Sequence, residues 1–286
     1  MRLYGKVIET ISDERIIRID CSGSLVYLYM SRKVYKDFSI YFKKHPYIFV
    51  DVKEDRRMNG EYCVYDVNYF EKIFEATSKG KVMYYDIDEV RVDTLKLLDN
   101  LENKMFLDLE FSLPAYYQSI PHVAEIVQYG IVVEDANGEI IHKESALVKP
   151  KRRITLNNRT LKFLSREREE FDSAINYMDF YNSFKELINK YNPKIIAWGR
   201  SDLATLEASF KVNNVKNIPL KKRYINIMQL IKNYYNYKDE MGLFQTYEEM
   251  TGKVLEPQAH DALEDAMVTR EIYHLFKEKT NHNNEK

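Results

Sequence analysis

Asp108 and Glu110 stand in the run Met105-Phe106-Leu107-Asp108-Leu109-Glu110. On an extended strand alternate side chains share a face, so the two carboxylates project together from an otherwise apolar segment. Such a pair is unfavourable by itself, because like charges repel and both groups lose hydration. Hard divalent cations, which take oxygen ligands, are the usual compensation. The commoner meaning of the hexapeptide is a strand with two acids facing solvent. Acids much further along shift that balance. Asp202 follows Trp198-Gly199-Arg200-Ser201, and His260 precedes Asp265 by five residues. Each has an ordinary explanation: an acid in a first helical turn favours the helix dipole, and a lone His at a helix start is usually structural.

The elements that must position these groups follow from pattern. From Lys104 the chain reads as mixed α/β, with strands at 104–110, 124–134 and 139–148, the last two joined by the hairpin signal Asn137-Gly138. A helical region carrying Phe171, Ile175, Met178, Phe184, Leu187 and Ile188 on one side ends at Asn192-Pro193. Lys194–Trp198 is a short apolar strand, as expected for a sheet covered on both faces. Gly199 turns the chain off its end, and Ser201 caps a helix beginning near Asp202. Such strand-to-helix turns are where α/β sheets bind ligands. A fifth strand at 223–230 runs into a helix, Gly242–Thr251 is helical, and a last long helix starts near Ala259. His260 and Asp265 can converge if the first sits on the incoming turn and the second on the helix proper. Asp261 and Glu264 read more readily as solvent-facing, although spacing alone does not separate them from Asp265.

Residues 2–74 are β-rich, with strands at Lys6–Ile11, Arg15–Asp20 and Leu25–Met30. A helix capped by Ser31 follows, then strands at Tyr47–Lys53 and Glu61–Phe70 about a charged turn at 56–60. Three strands, a helix and two strands is the order of an OB-like barrel, a fold that often binds single strands. Tyr27, Tyr29, Tyr47, Tyr62 and Tyr65 are then stacking candidates, with Arg32, Lys33, Arg56 and Arg57 for phosphates. Barrel filling accounts for the aromatics equally well. Residues 75–103 read as a connector with a short helix over Asp86–Leu101, residues 104–280 as the second domain, and 281–286 as a disordered tail.

Composition sets the outer limits. The chain has 286 residues and a formal net charge of −1, which argues against non-specific coating of duplex DNA but leaves room for a local basic groove. Cys21 and Cys63 are too few for a disulfide framework, and each reads as a buried free thiol. With no apolar leader or membrane-length run, the expectation is a soluble, cytoplasmic protein without a membrane partner.

Taken together, Asp108-x-Glu110, Trp198-Gly199-x-x-Asp202 and His260-x-Ala262-x-x-Asp265-Ala266 resemble the three motifs of the DEDD exonuclease superfamily in its His-containing branch. Within it the chain looks most like the 3′ exoribonucleases of the histone-mRNA and small-RNA-trimming type. Glu125-Ile126-Val127-Gln128-Tyr129-Gly130 resembles their second strand, Val148-Lys149-Pro150 the end of the third, and Ile225-Asn226-Ile227 with Tyr234-Tyr235 and Gly242-Leu243 the segment before the last motif. The likeness covers about residues 104–276.

The resemblance implies an α/β, RNase H-like domain, a mixed five-stranded sheet flanked by helices, preceded by the small OB-like barrel. It implies a metal-dependent 3′→5′ exonuclease that releases nucleoside 5′-monophosphates from single-stranded RNA, or also DNA, by two-metal hydrolysis. The four acids Asp108, Glu110, Asp202 and Asp265 would hold two Mg²⁺ or Mn²⁺ ions, Asp108 bridging both. His260 would be the general base. Phe111, Ser112, Gln128 and Ser201 would contact substrate. Relatives place a small residue where this chain has Phe111-Ser112 and often an aromatic at Ser201, and the Thr-Gly-Ile turn common after the third strand is missing around Arg159–Arg168. Rival readings are a proofreading or repair DNA exonuclease, and a scaffold that binds nucleic acid or protein without cutting. A protein partner of the N-terminal domain is a further alternative.

Overall fold

Alternating apolar residues build the first of two units. In the computed structural model, which describes residues 1–117, 121–237, 239–254 and 260–282, this unit comprises Met1–Thr94 with Lys232–Asp239. Its strands are β1 (Arg2–Ile11), β2 (Ile16–Cys21) and β3 (Ser24–Tyr29), then, after helix α1 (Arg32–Phe42), β4 (Tyr47–Asn59), β5 (Tyr62–Thr77) and β6 (Gly80–Asp86). Ile17, Ile19, Leu28, Val50, Val52 and Phe70 turn inward as a core. The strands pair in the order β3-β2-β1-β4-β5-β6, and β3 also pairs in parallel with β5. Five strands therefore close into the OB-like barrel, which removes their open edges. Ser31 caps α1, its Oγ accepting from Val34 N.

Several details depart from the pattern reading. The turn expected at 56–60 is tighter: Arg56, Arg57 and Met58 belong to β4 and pair with Tyr65, Val64 and Cys63. The chain reverses at Gly60, whose φ of +61° suits glycine. The stretch read as a connector carries the end of β5, all of β6 and helix α2 (Ile87–Asp99). Cys21 is half-buried and Cys63 exposed rather than fully buried core thiols: Cys21 packs against the core from the end of β2, in phase with Ile17 and Ile19, and Cys63 lies on the outer face of β5 beside the buried Val64.

The second unit comprises Leu95–Ile231 with Glu240–Lys286. Its elements are β7 (Lys104–Phe111), β8 (Ile126–Glu134), β9 (Ile140–Lys149), α3 (Asn158–Leu164), β10 (Ile175–Asn176) and α4 (Tyr177–Tyr191). After them come β11 (Lys194–Ala197), α5 (Ser201–Val212), β12 (Tyr224–Asn226), α6 (Ile227–Tyr235), α7 (Leu243–Thr251) and α8 (Ala262–His282). The sheet order is β10-β9-β8-β7-β11-β12. The five expected strands are present, with the two-residue β10 added at the edge. β7, β8 and β9 are antiparallel, while β11 runs parallel to both β7 and β12. This is the RNase H-like arrangement, with β7 inside the sheet.

Period-two alternation divides β7 between two layers. Met105, Leu107 and Leu109 pack with Phe180, Phe184 and Phe210 of the helices on one face. Phe106 turns the other way, onto Tyr273 of α8 with ring centroids 5.6 Å apart. Asp108 and Glu110 share that second face. Helix α4 starts later than periodicity suggests: Phe171 lies in a 3-10 turn and Ile175 in β10, because the Asn176/Asp179 capping box starts the helix at Tyr177. The expected tail has its residues 283–286 outside the described residues, and α8 extends through His282. The expected helix start at Ala259 is also outside them, and α8 begins at Ala262. Among the described residues no helix is long and apolar enough to cross a membrane.

Candidate active site

The site forms where β7, the start of α5 and the start of α8 meet. Glu110 is 6 % exposed, Asp202 4 % and Asp265 7 %, so three carboxyls lie almost entirely out of water. Asp202 reaches from the first turn of α5 to β7, where its Oδ1 accepts from Leu109 N at 3.0 Å. The turn that aims it is pinned by β12. Asn226 Oδ1 accepts from Gly199 N at 3.1 Å, Tyr224 OH donates to Gly199 O at 2.9 Å, and Gly199 takes a φ of +88°. Arg200, not Ser201, occupies the cap position of α5, and Ser201 is the first helical residue and exposed. The tight Gly199 turn puts the backbone into helix one residue earlier than side-chain preference suggests.

Helix α8 comes down onto β8 at a glycine. A Cβ on Gly130, the partner of Asp108 across the β7–β8 ladder, would sit 2.2 Å from Ala262 O. Only a residue without a side chain lets the helix start so near the acids. Asp261 holds that start. Its Oδ1 accepts from Leu263 N at 3.0 Å and Glu264 N at 3.2 Å, and its Oδ2 accepts from Gln128 Nε2 at 2.8 Å. Arg166 adds an ion pair to Oδ2 at 3.3 Å. Asp261 is therefore a half-buried cap rather than a solvent-facing acid, while Glu264 is exposed as expected. At the other end of β8 the fully buried Glu134 binds Arg270 Nε at 2.6 Å, His274 Nε2 at 2.7 Å and Lys104 Nζ at 3.2 Å. This clasp fastens the middle of α8 to the sheet.

Crowding shows in the proton affinities. Burial first, and then the neighbouring acids, pushes Glu110 up to about 8 and Asp265 up to about 7. Burial raises Asp202 to about 6 against the bond from Leu109 N. Asp108 is raised well above the carboxylate range by burial and then by Asp202, Asp265 and Glu110. His260 Nδ1 lies 3.8 Å from Glu110 Oε1, and its ring stacks on Phe163 of α3 at 4.0 Å and 21°. Burial lowers its pKa.

These groups fit a hard cation. Glu110, His260 and Asp265 each offer a ligand atom within 4.8 Å of the others, and Asp265 Oδ1 is buried without a hydrogen-bond partner. A positive ion would relieve the repulsion that raises these carboxyls and occupy that oxygen.

The four residues expected to touch substrate fare differently. Ser112 is 1 % exposed, its Oγ accepting from Glu125 N at 3.0 Å and lying 3.3 Å from His122 Nε2. Gln128 is 3 % exposed and engaged with Asp261. Both are turned into the packing that supports the site. Phe111 is half-buried against the core, and Ser201 is open to solvent. Sequence reading missed Phe163, Asp261, Arg166 and Gly130. A capping pattern at Asp261 (an acid two and three residues before Leu263 and Glu264) and the basic run that ends at Arg166 were the available signals.

Known proteins resemble this chain in sequence or in fold. A probable 3′-5′ exonuclease, KapD of Bacillus subtilis (strain 168), is 27 % identical over 175 residues, covering 61 % of this chain and 84 % of KapD. The nuclease domain of 3′hExo, a DEDDh family member solved bound to rAMP, superposes with a TM-score of 0.56 at 17 % identity, covering 63 % of this chain and 94 % of that one. Cell-death related nuclease 4 (CRN-4) gives 0.53 at 20 % identity over 64 % of each chain. These likenesses at low identity speak for the fold. Residues 105–273, more than half of the chain, match the family model described as Exonuclease (RNase_T), and with its three acidic motifs in DEDDh order the protein belongs to that family as a 3′→5′ exonuclease.

Proposed function

We propose that the second unit removes nucleoside 5′-monophosphates one at a time from the 3′ end of single-stranded RNA, with DNA the poorer substrate. The observation that carries the reading is the convergence of Glu110, His260 and Asp265 within 4.8 Å, beside Asp108 and the strand-anchored Asp202. Asp108, Glu110, Asp202 and Asp265 would hold two divalent cations, Mg²⁺ or Mn²⁺, an all-carboxylate set that suits hard ions better than zinc. When bound, the ions supply charge neutralisation for a phosphodiester among four acids and stabilise the leaving 3′ oxygen.

The chain's own residues do the rest. His260 is kept neutral by its lowered pKa and accepts a proton at Nδ1, the nitrogen near Glu110, from an attacking water. Phe163 holds that ring in place. Water oxygen bonds to phosphorus, the bond to the 3′ oxygen breaks, and that oxygen takes a proton from solvent to become the new 3′ hydroxyl while His260 releases its proton to solvent. Asp202 and Leu109 fix the distance between α5 and β7. The preference for RNA is supported by the likeness to the trimming exoribonucleases.

The test is a time course on 5′-labelled RNA and DNA of one sequence, with Mg²⁺, with Mn²⁺ and with chelator. A metal-dependent ladder shortening from the 3′ end, faster on RNA, is expected. It should vanish in Asp108→Ala and slow in His260→Ala. A faster DNA ladder would replace the sugar assignment with a repair or proofreading type, and undiminished cutting by Asp108→Ala would remove the site.

A further inference from the structure

From Lys149 to Arg166 the chain carries seven Lys or Arg and no Asp or Glu, although its total charge is only −1. Much of this stretch forms one wall of a groove of about 920 Å³ whose other wall is made by residues 115–117 with Pro121 and His122. Arg152, Arg153, Arg159 and Arg168 line it together with Tyr116 and Tyr117. Of these four arginines, Arg152 is closely neutralised by a described residue, its Nε 2.8 Å from the buried Glu125. Arg153 meets Asp172 at 4.0 Å with both side chains exposed, a pairing worth little in water. Arg159 donates to the Pro114 carbonyl and lies 5.5 Å over the Tyr116 ring, and Arg168 donates to the Leu156 carbonyl. Carbonyl partners orient these guanidiniums but leave their charge uncancelled. Tyr117 is 99 % exposed, Ile154 83 % and Tyr116 68 %. The fold thus presents aromatic surface and positive charge together and buries neither.

The groove is tied to the catalytic centre through β7 and α3. β7 carries Asp108 and Glu110 and runs through Ser112 directly into the groove wall. There Leu113 N donates to Thr160 Oγ1 at 2.9 Å and Asn157 Nδ2 donates to Leu113 O at 2.8 Å. These bonds fasten α3 to the segment after β7, and α3 is the helix whose Phe163 stacks on His260.

We propose that this groove binds the single strand on the 5′ side of the scissile linkage, the arginines taking backbone phosphates while Tyr116 and Tyr117 stack on bases. The proposal rests on the active-site assignment above. Arginine and exposed aromatic rings side by side are the chemistry of single-strand binding without base selection. A rigid duplex would offer phosphates but no base faces to the tyrosines.

The test uses the full chain and the double variant Tyr117→Ala/Arg153→Ala, both side chains being exposed and clear of the core. Anisotropy of a 5′-labelled ten-nucleotide single strand, in chelator so that nothing is cut, should show binding weakened about tenfold or more. The slope of log affinity against log salt should also fall by about one. With metal present, the drop in KM as the substrate lengthens from two to ten nucleotides should shrink in the variant. Unchanged binding, or a length dependence equal to that of the parent protein, overturns the proposal. If the parent cuts neither substrate while the binding difference persists, the active-site assignment falls and the groove stands as a nucleic-acid site.

Discussion

Asp202 Oδ1 accepts a hydrogen bond from Leu109 N at 3.0 Å, at the one residue of β7 that lies between its two acids. β11 pairs with β7 only as far as Phe106, so Leu109 N finds its partner in a side chain instead of the ladder. The same carboxylate is thereby both a strand tie and a site acid. Asp202→Asn keeps an oxygen for Leu109 N and removes the charge, so it should abolish cleavage with little loss of stability. Asp202→Ala also leaves a buried donor unpaired, costing about 1–3 kcal/mol more. Urea unfolding of both variants decides it: equal midpoints would mean the tie contributes nothing.

The raised carboxyls make stability depend on pH in the direction opposite to that of paired acids. In the unfolded chain Glu110, Asp202 and Asp265 ionise near pH 4, whereas folded they hold their protons to about 8, 6 and 7. Between these limits the folded protein binds more protons, so its stability in chelator falls as pH rises from about 4 to 8. A divalent cation must displace those protons and binds more tightly at higher pH. Melting curves from pH 5 to 8.5 should show Tm declining in chelator by several degrees, with a stabilising increment from Mg²⁺ that grows with pH. An increment independent of pH would contradict this.

Phe163 acts through His260. Phe163→Ala should lower kcat about tenfold by freeing the imidazole, leaving Mn²⁺ affinity by calorimetry unchanged, and Phe163→Trp should restore much of the rate. A parallel loss of metal affinity would show that the ring supports the acids as well.

Gly130→Ala should be among the most damaging small substitutions in the second unit. The added carbon would meet Ala262 O at 2.2 Å, a backbone atom that cannot rotate away. Displacing α8 should cost about 2 kcal/mol or more and carry Asp265 out of place. Normal activity with an unchanged melting point would refute the close approach.

Arg270→Ala removes one partner of the fully buried Glu134, whose relative exposure is 0 %. An underpaired buried carboxylate is costly, and a loss of about 3 kcal/mol is expected. Glu134→Gln with Arg270→Ala should recover part of it in chemical denaturation, and additivity of the two changes would argue against the clasp.

The grouping of the acids was legible from the order of the three motifs taken together, although each motif alone had an ordinary explanation; Asp108 and Glu110 share a face of β7 in any register. The barrel was legible from element order. What escaped the sequence is what depends on contacts between distant elements. Asp261 looked solvent-facing because nothing local shows that Gln128 and Arg166, 133 and 95 residues away, converge on it. Ser112 and Gln128 were expected at the substrate by family resemblance, and their interior hydrogen bonds were not legible because a polar side chain bonded in the interior has the same one-letter signature as one facing a ligand. The basic run before Arg166 was visible in the sequence, but a nearly neutral total masked it.

Two fixed points on β8, Gly130 and Glu134, set the phase of α8, since the helix must present its start to one and Arg270 to the other. Each added residue would turn everything beyond it by about 100° and advance it by about 1.5 Å. An insertion or deletion between Asp265 and Arg270 therefore cannot be absorbed as it would be in a loop. It must surrender either the acid or the clasp, so the length of this segment is itself a constraint on how the chain can diverge.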